Sequence, residues 1–376
     1  MSANNNDNTQ ILNMTVPYRL KATNLFCCSG VNEYFLDKIG VDVVLANEKS
    51  RRRAKLHRAI YPQSKIVVGD IMNPKTQDLL ANIANKEKPK ILLASPCCQQ
   101  ITRANTCKDE NSEEQYLFEG VMEHLRRTYS YEFVAIENAA EMLTFKTKNY
   151  ELSLGDQIEK ELKSLGFPYV DKAVQNAAEF GAIMNRPRTI IIASKYKPVK
   201  LPTGAENNLC FEDISKGLKP LEAGESDDAH WAQVAAPLPE CQKEQVMHTP
   251  TGEKVKDLKT TKGALSGCKM DGAGHRCKKN EKMHSQLTGS GDITGLFTIA
   301  PGTDVFDDDG NYLYTTDART HTVLEIMRAY RLPDDMRIPY WARPMLNFLR
   351  VMLGEAWCPL HCQYVVAQFV KAKFGL

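Results

Sequence analysis

The chain has 376 residues, 48 Lys and Arg against 46 Asp and Glu, a net charge of +2, and 43% apolar and 25% charged residues. That length suits one large domain or two ordinary ones, and the near-balance of charge excludes a chain-wide polycation, so a nucleic-acid surface must be a local patch. Apolar runs such as Ile190–Ala193 are too short to span a bilayer, and the polar start MSANNNDNTQ lacks a signal-peptide core, so a cytoplasmic protein without a membrane partner is expected.

Residues 1 to about 17, rich in Asn, read as a disordered tail. Through residues 18–196 short apolar runs alternate with amphipathic stretches. The runs are Ala22–Phe26, Val41–Ala46, Lys65–Val68, Ile91–Ala94, Phe133–Ile136, Val170–Val174 and Thr189–Ala193. The amphipathic stretches are Val31–Ile39, Arg51–Ile60, Gln77–Asn85, Glu113–Thr128 and Gln157–Leu165. Such alternation predicts an α/β fold with a doubly wound, mostly parallel sheet. Residues 197–318 are instead rich in Gly, Pro and Asp and weakly periodic. Within them, 251–282 carries nine Lys and Arg against four acids, the best basic patch in the chain. Charge alone would make that patch a solvated loop. Helical patterning resumes at Thr322–Arg331, Ala342–Leu349 and Glu355–Ala372, and there are no internal repeats.

Eleven cysteines in a chain without a signal peptide read as reduced thiols, metal ligands or a nucleophile. The first strand-to-helix junction, Asn24 to Leu36, is an anion- or nucleotide-binding turn in which only Gly30 survives of a glycine-rich loop. The second run ends in Asn47-Glu48, an acid placed to accept from ribose hydroxyls. The third ends in Gly69-Asp70-Ile71, where Asp70 can accept from an adenine amino group. Singly, each acid reads as a cap or a solvated loop residue. In series at strand carboxyl ends, they point to a cofactor pocket. The fourth run leads into Ser95-Pro96-Cys97-Cys98-Gln99, a nucleophile candidate on a proline-constrained turn, or else an inert buried thiol. The fifth ends in Glu137-Asn138, and Asn185-Arg186-Pro187-Arg188 precedes the last. A Cys, a Glu and two Arg converging on one crevice suit attack on an electron-poor heterocycle.

The order NLFCCSG, ANEK, GDI, SPCCQ, IENA, MNRPR, THTVLEIMR with LPDD, and LGEAWCP resembles the DNA cytosine-5 methyltransferase family of bacterial and phage type, from Thr23 to the C-terminus. The resemblance implies the S-adenosylmethionine-dependent methyltransferase fold. It implies methyl transfer from S-adenosyl-L-methionine to C5 of a flipped-out cytosine, through a bond between Cys98 and C6. Glu137 would act at ring N3, Arg188 at O2 and on Glu137, Asn138 on its loop, and Arg186 on backbone or the catalytic loop. The cofactor would lie against Phe26, Ser29, Gly30, Val31, Glu48, Asp70, Ile71 and Pro96. The segment Gln100–Lys108 resembles the loop that closes on DNA, with Gln99 and Arg103 as contacts. Residues 197–318 become a target recognition domain, with Lys269, Arg276 and Lys278 on phosphates. Thr322, Glu325, Arg328, Pro333 and Asp334 match an element that braces it. Residues 319–376 then complete a discontinuous catalytic domain, the last helix, from near Gly354, packing on the first. Double-stranded DNA, a monomer and a cognate restriction endonuclease are the implied partners.

The sequence departs from the family pattern at several points. The family has Asp-Leu-Phe-x-Gly-x-Gly-Gly in the first turn. Here Asn24 replaces the acid, Cys28 the first glycine and Val31 the last. Cys97 replaces a proline, Met184 a glutamine, Ala139 a valine and Glu355 an asparagine. Two other readings keep the fold: an RNA cytosine-5 methyltransferase, and a weakened DNA-binding regulator. Cys268, His275, Cys277 and His284 fit no standard zinc spacing, so no metal is expected. Cys358, His361 and Cys362 read as packed core thiols with one surface histidine.

Overall fold

The computed structural model describes residues 11–102, 109, 111–218, 226–227, 233–234, 282–284, 304–306, 312–315 and 322–376. By packing, the chain divides into two units: Met1–Ala182 with Arg186–Asn207 and Ala356–Leu376, and Ile183–Asn185 with Asn208–Glu355. These divisions differ from those drawn at 196 and 318 from composition. Residues 201–205 stay with the first unit because Leu201 N–H donates to Asp171 (3.0 Å), Gln175 donates to the Pro202 carbonyl (2.7 Å), and Ala205 N–H to the Glu179 carbonyl (2.8 Å).

The first unit is built on seven strands: β1 Leu20–Leu25, β2 Val41–Glu48, β3 Lys65–Val68, β4 Ile91–Ala94, β5 Phe133–Ala139, β6 Tyr169–Asn176 and β7 Pro187–Ser194. Their order is β3-β2-β1-β4-β5-β7-β6. β3, β2, β1, β4 and β5 run parallel, and β7 runs antiparallel to both β5 and β6. The short return from β6 explains that reversal, since a parallel neighbour would need a long crossover.

The alternation along each central strand assigns its side chains to two cores. Leu92, Ala94, Val134, Ile136, Ile191 and Ala193 face one. Ile91, Leu93, Phe133, Ala135, Ile190 and Ile192 face the other. This two-sided burial is why the strands read as continuous apolar runs.

Helices α1 Arg51–Ile60, α2 Pro74–Glu87, α3 Leu117–Arg127 and α4 Leu154–Ser164 follow the expected segments. Ser50, Asn73 and Ser153 cap α1, α2 and α4 by accepting from Arg53, Lys75 and Asp156 N–H, and Pro74 sits in the first turn of α2. The helix expected over Val31–Ile39 is instead two 3-10 turns, Val31–Glu33 and Leu36–Ile39. Asn32 and Glu33 are buried and held by Asn24 side-chain hydrogen bonds, so these polar residues turn inward along with the apolar ones instead of forming the solvated face of a helix.

Two other expectations are corrected. Residues 11–17 of the expected tail are packed: Leu12 exchanges two 2.9 Å hydrogen bonds with the Gln363 amide, and Leu12, Met14 and Val16 pack on the core. His361 is fully buried, not at the surface. Its Nε2 lies 3.0 Å from Gln175 Oε1 and its ring stacks on Phe180 at 4.5 Å.

The second unit contains α5 Phe211–Ser215, α6 Val323–Ala329 and α7 Leu346–Glu355, plus two-stranded pairings such as Asp304–Phe306 with Tyr312–Thr315. Thr322 and Glu325 form a capping box at α6. Arg328 pairs with Asp334 and donates to the Ile214 and Lys216 carbonyls (2.8 and 2.9 Å), so this expected brace works inside the second unit. The helix expected over Ala342–Leu349 starts only at Leu346, after a turn. The final helix, α8 Pro359–Phe374, begins at a proline after a break and returns to the first unit. Its Gln363 donates to the Phe35 carbonyl (2.8 Å), between the two 3-10 turns.

Candidate active site

The carboxyl ends of β1, β2, β3, β4 and β5 lie on one edge of the sheet, where an open α/β fold forms its crevice. At β1 the chain turns through left-handed residues: Phe26 (φ 56°), Cys28 (φ 53°) and Gly30 (φ 77°). A side chain in that region costs roughly 1–2 kcal/mol. Cys28 therefore keeps a glycine-like backbone despite its Cβ. Its N–H donates to Glu48 Oε2 (3.1 Å), and Glu48 Oε1 accepts from Ser50 N–H (2.7 Å). Glu48 thus locks the turn from the end of β2. The Phe26 ring is half-buried against the core.

The other expected cofactor residues divide by exposure. Ser29, Val31 and Ile71 are buried at 1%, 4% and 2%. Gly30 turns its Cα toward α1: a Cβ there would lie 2.5 Å from the Tyr61 ring and 2.8 Å from that of His57. Asp70 pairs with Lys49 (2.8 Å) and accepts from Met72 N–H (2.9 Å). Burial pushes its carboxyl up, but these two partners outweigh it and hold the group below its usual range.

Cys97 and Cys98 are half-buried on the turn after β4, Pro96 is buried and Gln99 exposed. The Cys98 carbonyl accepts from Ile101 and Thr102 N–H, both at 2.9 Å. Asn138 ties this turn to β5: its Nδ2 donates to the Pro96 carbonyl (3.0 Å) and its Oδ1 accepts from Ala139 N–H (2.8 Å). Glu137, 4% exposed, faces Arg188, whose Nε lies 3.1 Å from Glu137 Oε1. The antiparallel register opposes Ala139 to Arg188 and Glu137 to Ile190, so the Arg188 side chain needs only to lean along the strand. Arg186 is 1% exposed and donates to the Ala356 carbonyl (2.9 Å), an anchor to the segment before α8.

Sequence reasoning missed a buried polar group beneath the first turn, formed by Asn24, Glu33, His57 and Tyr61. One signal was available: a lone histidine on the apolar face of an amphipathic helix. Burial pushes the Cys358 thiol up to about 11 and those of Cys27 and Cys362 well above the usual value, which disfavours a thiolate at these three positions. Arg103, Lys269, Arg276 and Lys278 lie outside the described residues, as do Cys268, His275 and Cys277 and the side chain of His284. Among the described residues no group of His, Cys, Asp and Glu is placed to hold a metal, and no helix is long and apolar enough to cross a membrane.

A family model described as C-5 cytosine-specific DNA methylase matches residues 20–371. The Type II methyltransferase M1.HgaI of Avibacterium volantium is 29% identical over 347 residues, 89% of this chain and 94% of that protein. The Type II methyltransferase M1.HphI of Haemophilus parahaemolyticus is 25% identical over 182 residues, 47% of each chain. The crystal structure of the S. pombe Dnmt2 methyltransferase superposes with a TM-score of 0.56 at 14% identity, covering 95% of this chain and all of that one. At such identity the likeness carries the fold alone.

Proposed function

The chain belongs to the C-5 cytosine-specific DNA methylase family, and from that premise we propose that Cys98, Glu137 and Arg188 are its catalytic residues and that the turn from Phe26 to Gly30, with Glu48 and Asp70, holds S-adenosylmethionine. The observation that carries the catalytic reading is the pairing of Glu137 with Arg188 at 3.1 Å beside a cysteine turn tethered by Asn138. The residues around the first turn suit the cofactor: a half-buried aromatic ring, a carboxylate at the end of β2, and an acid after β3. When bound, the cofactor supplies an electrophilic methyl group.

Cytosine C5 is too weak a nucleophile to take that methyl unaided. The Cys98 thiolate adds to C6, forming a C–S bond and pushing the ring electrons toward C5. Glu137 meets the charge that builds at N3 by donating a proton, and Arg188 steadies Glu137 and binds O2. After methyl transfer, the C5 proton leaves to solvent base, Cys98 departs from C6 as a thiolate, and the N3 proton returns to Glu137. Asn138 and Arg186 position these groups without touching the ring. Neither duplex geometry nor stacking allows this chemistry in place, so the base is flipped out.

The substrate in this reading is double-stranded DNA, with the Gly-rich and basic residues of 197–318 as its target recognition domain and Lys269, Arg276 and Lys278 on phosphates. Likeness to two Type II methyltransferases supports a site-specific enzyme beside a restriction endonuclease, and one active site per chain needs no second copy, so the reading is a monomer. A duplex carrying 5-fluorocytosine tests the nucleophile. Fluorine cannot leave C5 as a proton does, so the C6–S bond should persist through denaturation. Wild type should form this adduct and Cys98→Ala should not. An adduct that survives Cys98→Ala but is lost in Cys97→Ala would move the role to Cys97.

A further inference from the structure

The buried polar group under the first turn is not needed by the chemistry above, yet every member touches that turn or its support. Glu33, 5% exposed, accepts at Oε1 from Asn24 Nδ2 (2.7 Å) and lies 3.0 Å from His57 Nε2. His57 is fully buried, its ring 5.2 Å from that of Tyr61. Tyr61 donates its hydroxyl to the Gly30 carbonyl (2.8 Å). Both rings press on the Gly30 Cα, where no Cβ would fit. A chain of touching groups therefore runs from the end of β1 through Glu33 and α1 to the carbonyl of the left-handed glycine.

From this geometry we infer that Glu33, His57 and Tyr61 are positioning residues for the methyl donor, setting the Cys27–Gly30 turn from beneath. The inference rests on the reading that this turn holds S-adenosylmethionine. It also explains Asn24, which stands where the family pattern has an acid. With Glu33 already supplying the buried carboxylate, Asp at 24 would place two carboxylates at hydrogen-bond distance, whereas the Asn amide donates. The acid has in effect moved from β1 to the following turn.

A swap tests this on the full chain, with cofactor binding followed by calorimetry and methyl transfer by steady-state kinetics. Asn24→Asp should raise Kd and KM for S-adenosylmethionine at least about tenfold, the scale of one broken buried hydrogen bond, with kcat within about twofold. Adding Glu33→Gln should restore most of that loss, because the amide and carboxylate have only exchanged places and the imidazole can change tautomer. Tyr61→Phe, which removes one hydroxyl from a half-buried ring, should raise KM several-fold, again sparing kcat, and keeps the test valid should Asn24→Asp fail to fold. Folded Asn24→Asp and Tyr61→Phe proteins with wild-type KM would overturn the inference, as would a swap that gives no rescue. If wild type itself bound no S-adenosylmethionine, the cofactor reading would fall and this one with it.

Discussion

At the residue scale, the proposed chemistry hangs on few groups. Glu137→Gln keeps the shape of the side chain but loses the acid, so kcat should fall at least about a hundredfold, the usual scale for a general acid. Calorimetry should find cofactor affinity unchanged in this variant, since Glu137 is paired with Arg188 and not with the first turn. Asn138→Ala removes the bond to the Pro96 carbonyl, and urea denaturation should show a loss of about 1 kcal/mol. Away from the site, His124 is buried. Its Nε2 lies 2.8 Å from the Tyr131 hydroxyl, which donates onward to Thr23 (2.8 Å). Burial lowers its pKa to about 4, from 6.5. The unfolded chain therefore binds a proton here between those values and the folded chain does not. Stability is fully present above pH 6.5 and declines as the pH falls toward 4, by on the order of 3 kcal/mol for this group. Buried His361, lowered to about 3, adds to the same slope. Denaturation midpoints at pH 7.5 and 5 should show the decline, and His124→Gln should make it shallower, leaving the part due to His361.

At the element scale, Cys28 offers a clear test of the first turn. Its φ of 53° suits glycine. Cys28→Gly should not strain the fold, and thermal melting should show a gain of about 1 kcal/mol or less, the strain relief being offset by added freedom in the unfolded chain. The central strands were legible in the sequence because two-sided burial demands an apolar run, while the edge strands β3 and β6 are only partly buried and carry shorter ones. Ser50, Asn73 and Ser153 cap α1, α2 and α4, a signal that apolar spacing does not use, so α2 starts at Pro74 and not at Gln77 and α4 at Leu154 and not at Gln157. Val31–Ile39 misled because its apolar spacing looks helical, while its fold is decided by Asn24, distant in neither sequence nor space but polar and buried. His361 misled for a related reason: the partner that permits its burial, Gln175, lies 186 positions away. Glu137, Arg188 and Cys98 were legible as motifs, but Glu33 and His57 were not, since their pairing depends on α1 folding under the first turn.

At the scale of the whole molecule, the proposed reading divides the labour, with methyl transfer in the sheet unit and base selection in residues 197–318, most of which belong to the second unit. The net charge of +2 leaves DNA affinity to local patches such as 251–282. Affinity should therefore fall with salt. Replacing Lys269, Arg276 and Lys278 with Ala should weaken binding to all sequences alike and reduce the log–log salt slope by about one for each phosphate left without its cation. The central claim is cytosine-5 methylation of duplex DNA through Cys98. The most direct measurement is bisulfite sequencing of genomic DNA treated with wild type, Cys97→Ala and Cys98→Ala in the presence of S-adenosylmethionine. Wild type and Cys97→Ala should protect cytosines within one short motif, and Cys98→Ala should protect none. Methylation that persists in Cys98→Ala, or a wild-type enzyme that methylates RNA and leaves DNA untouched, would contradict the account.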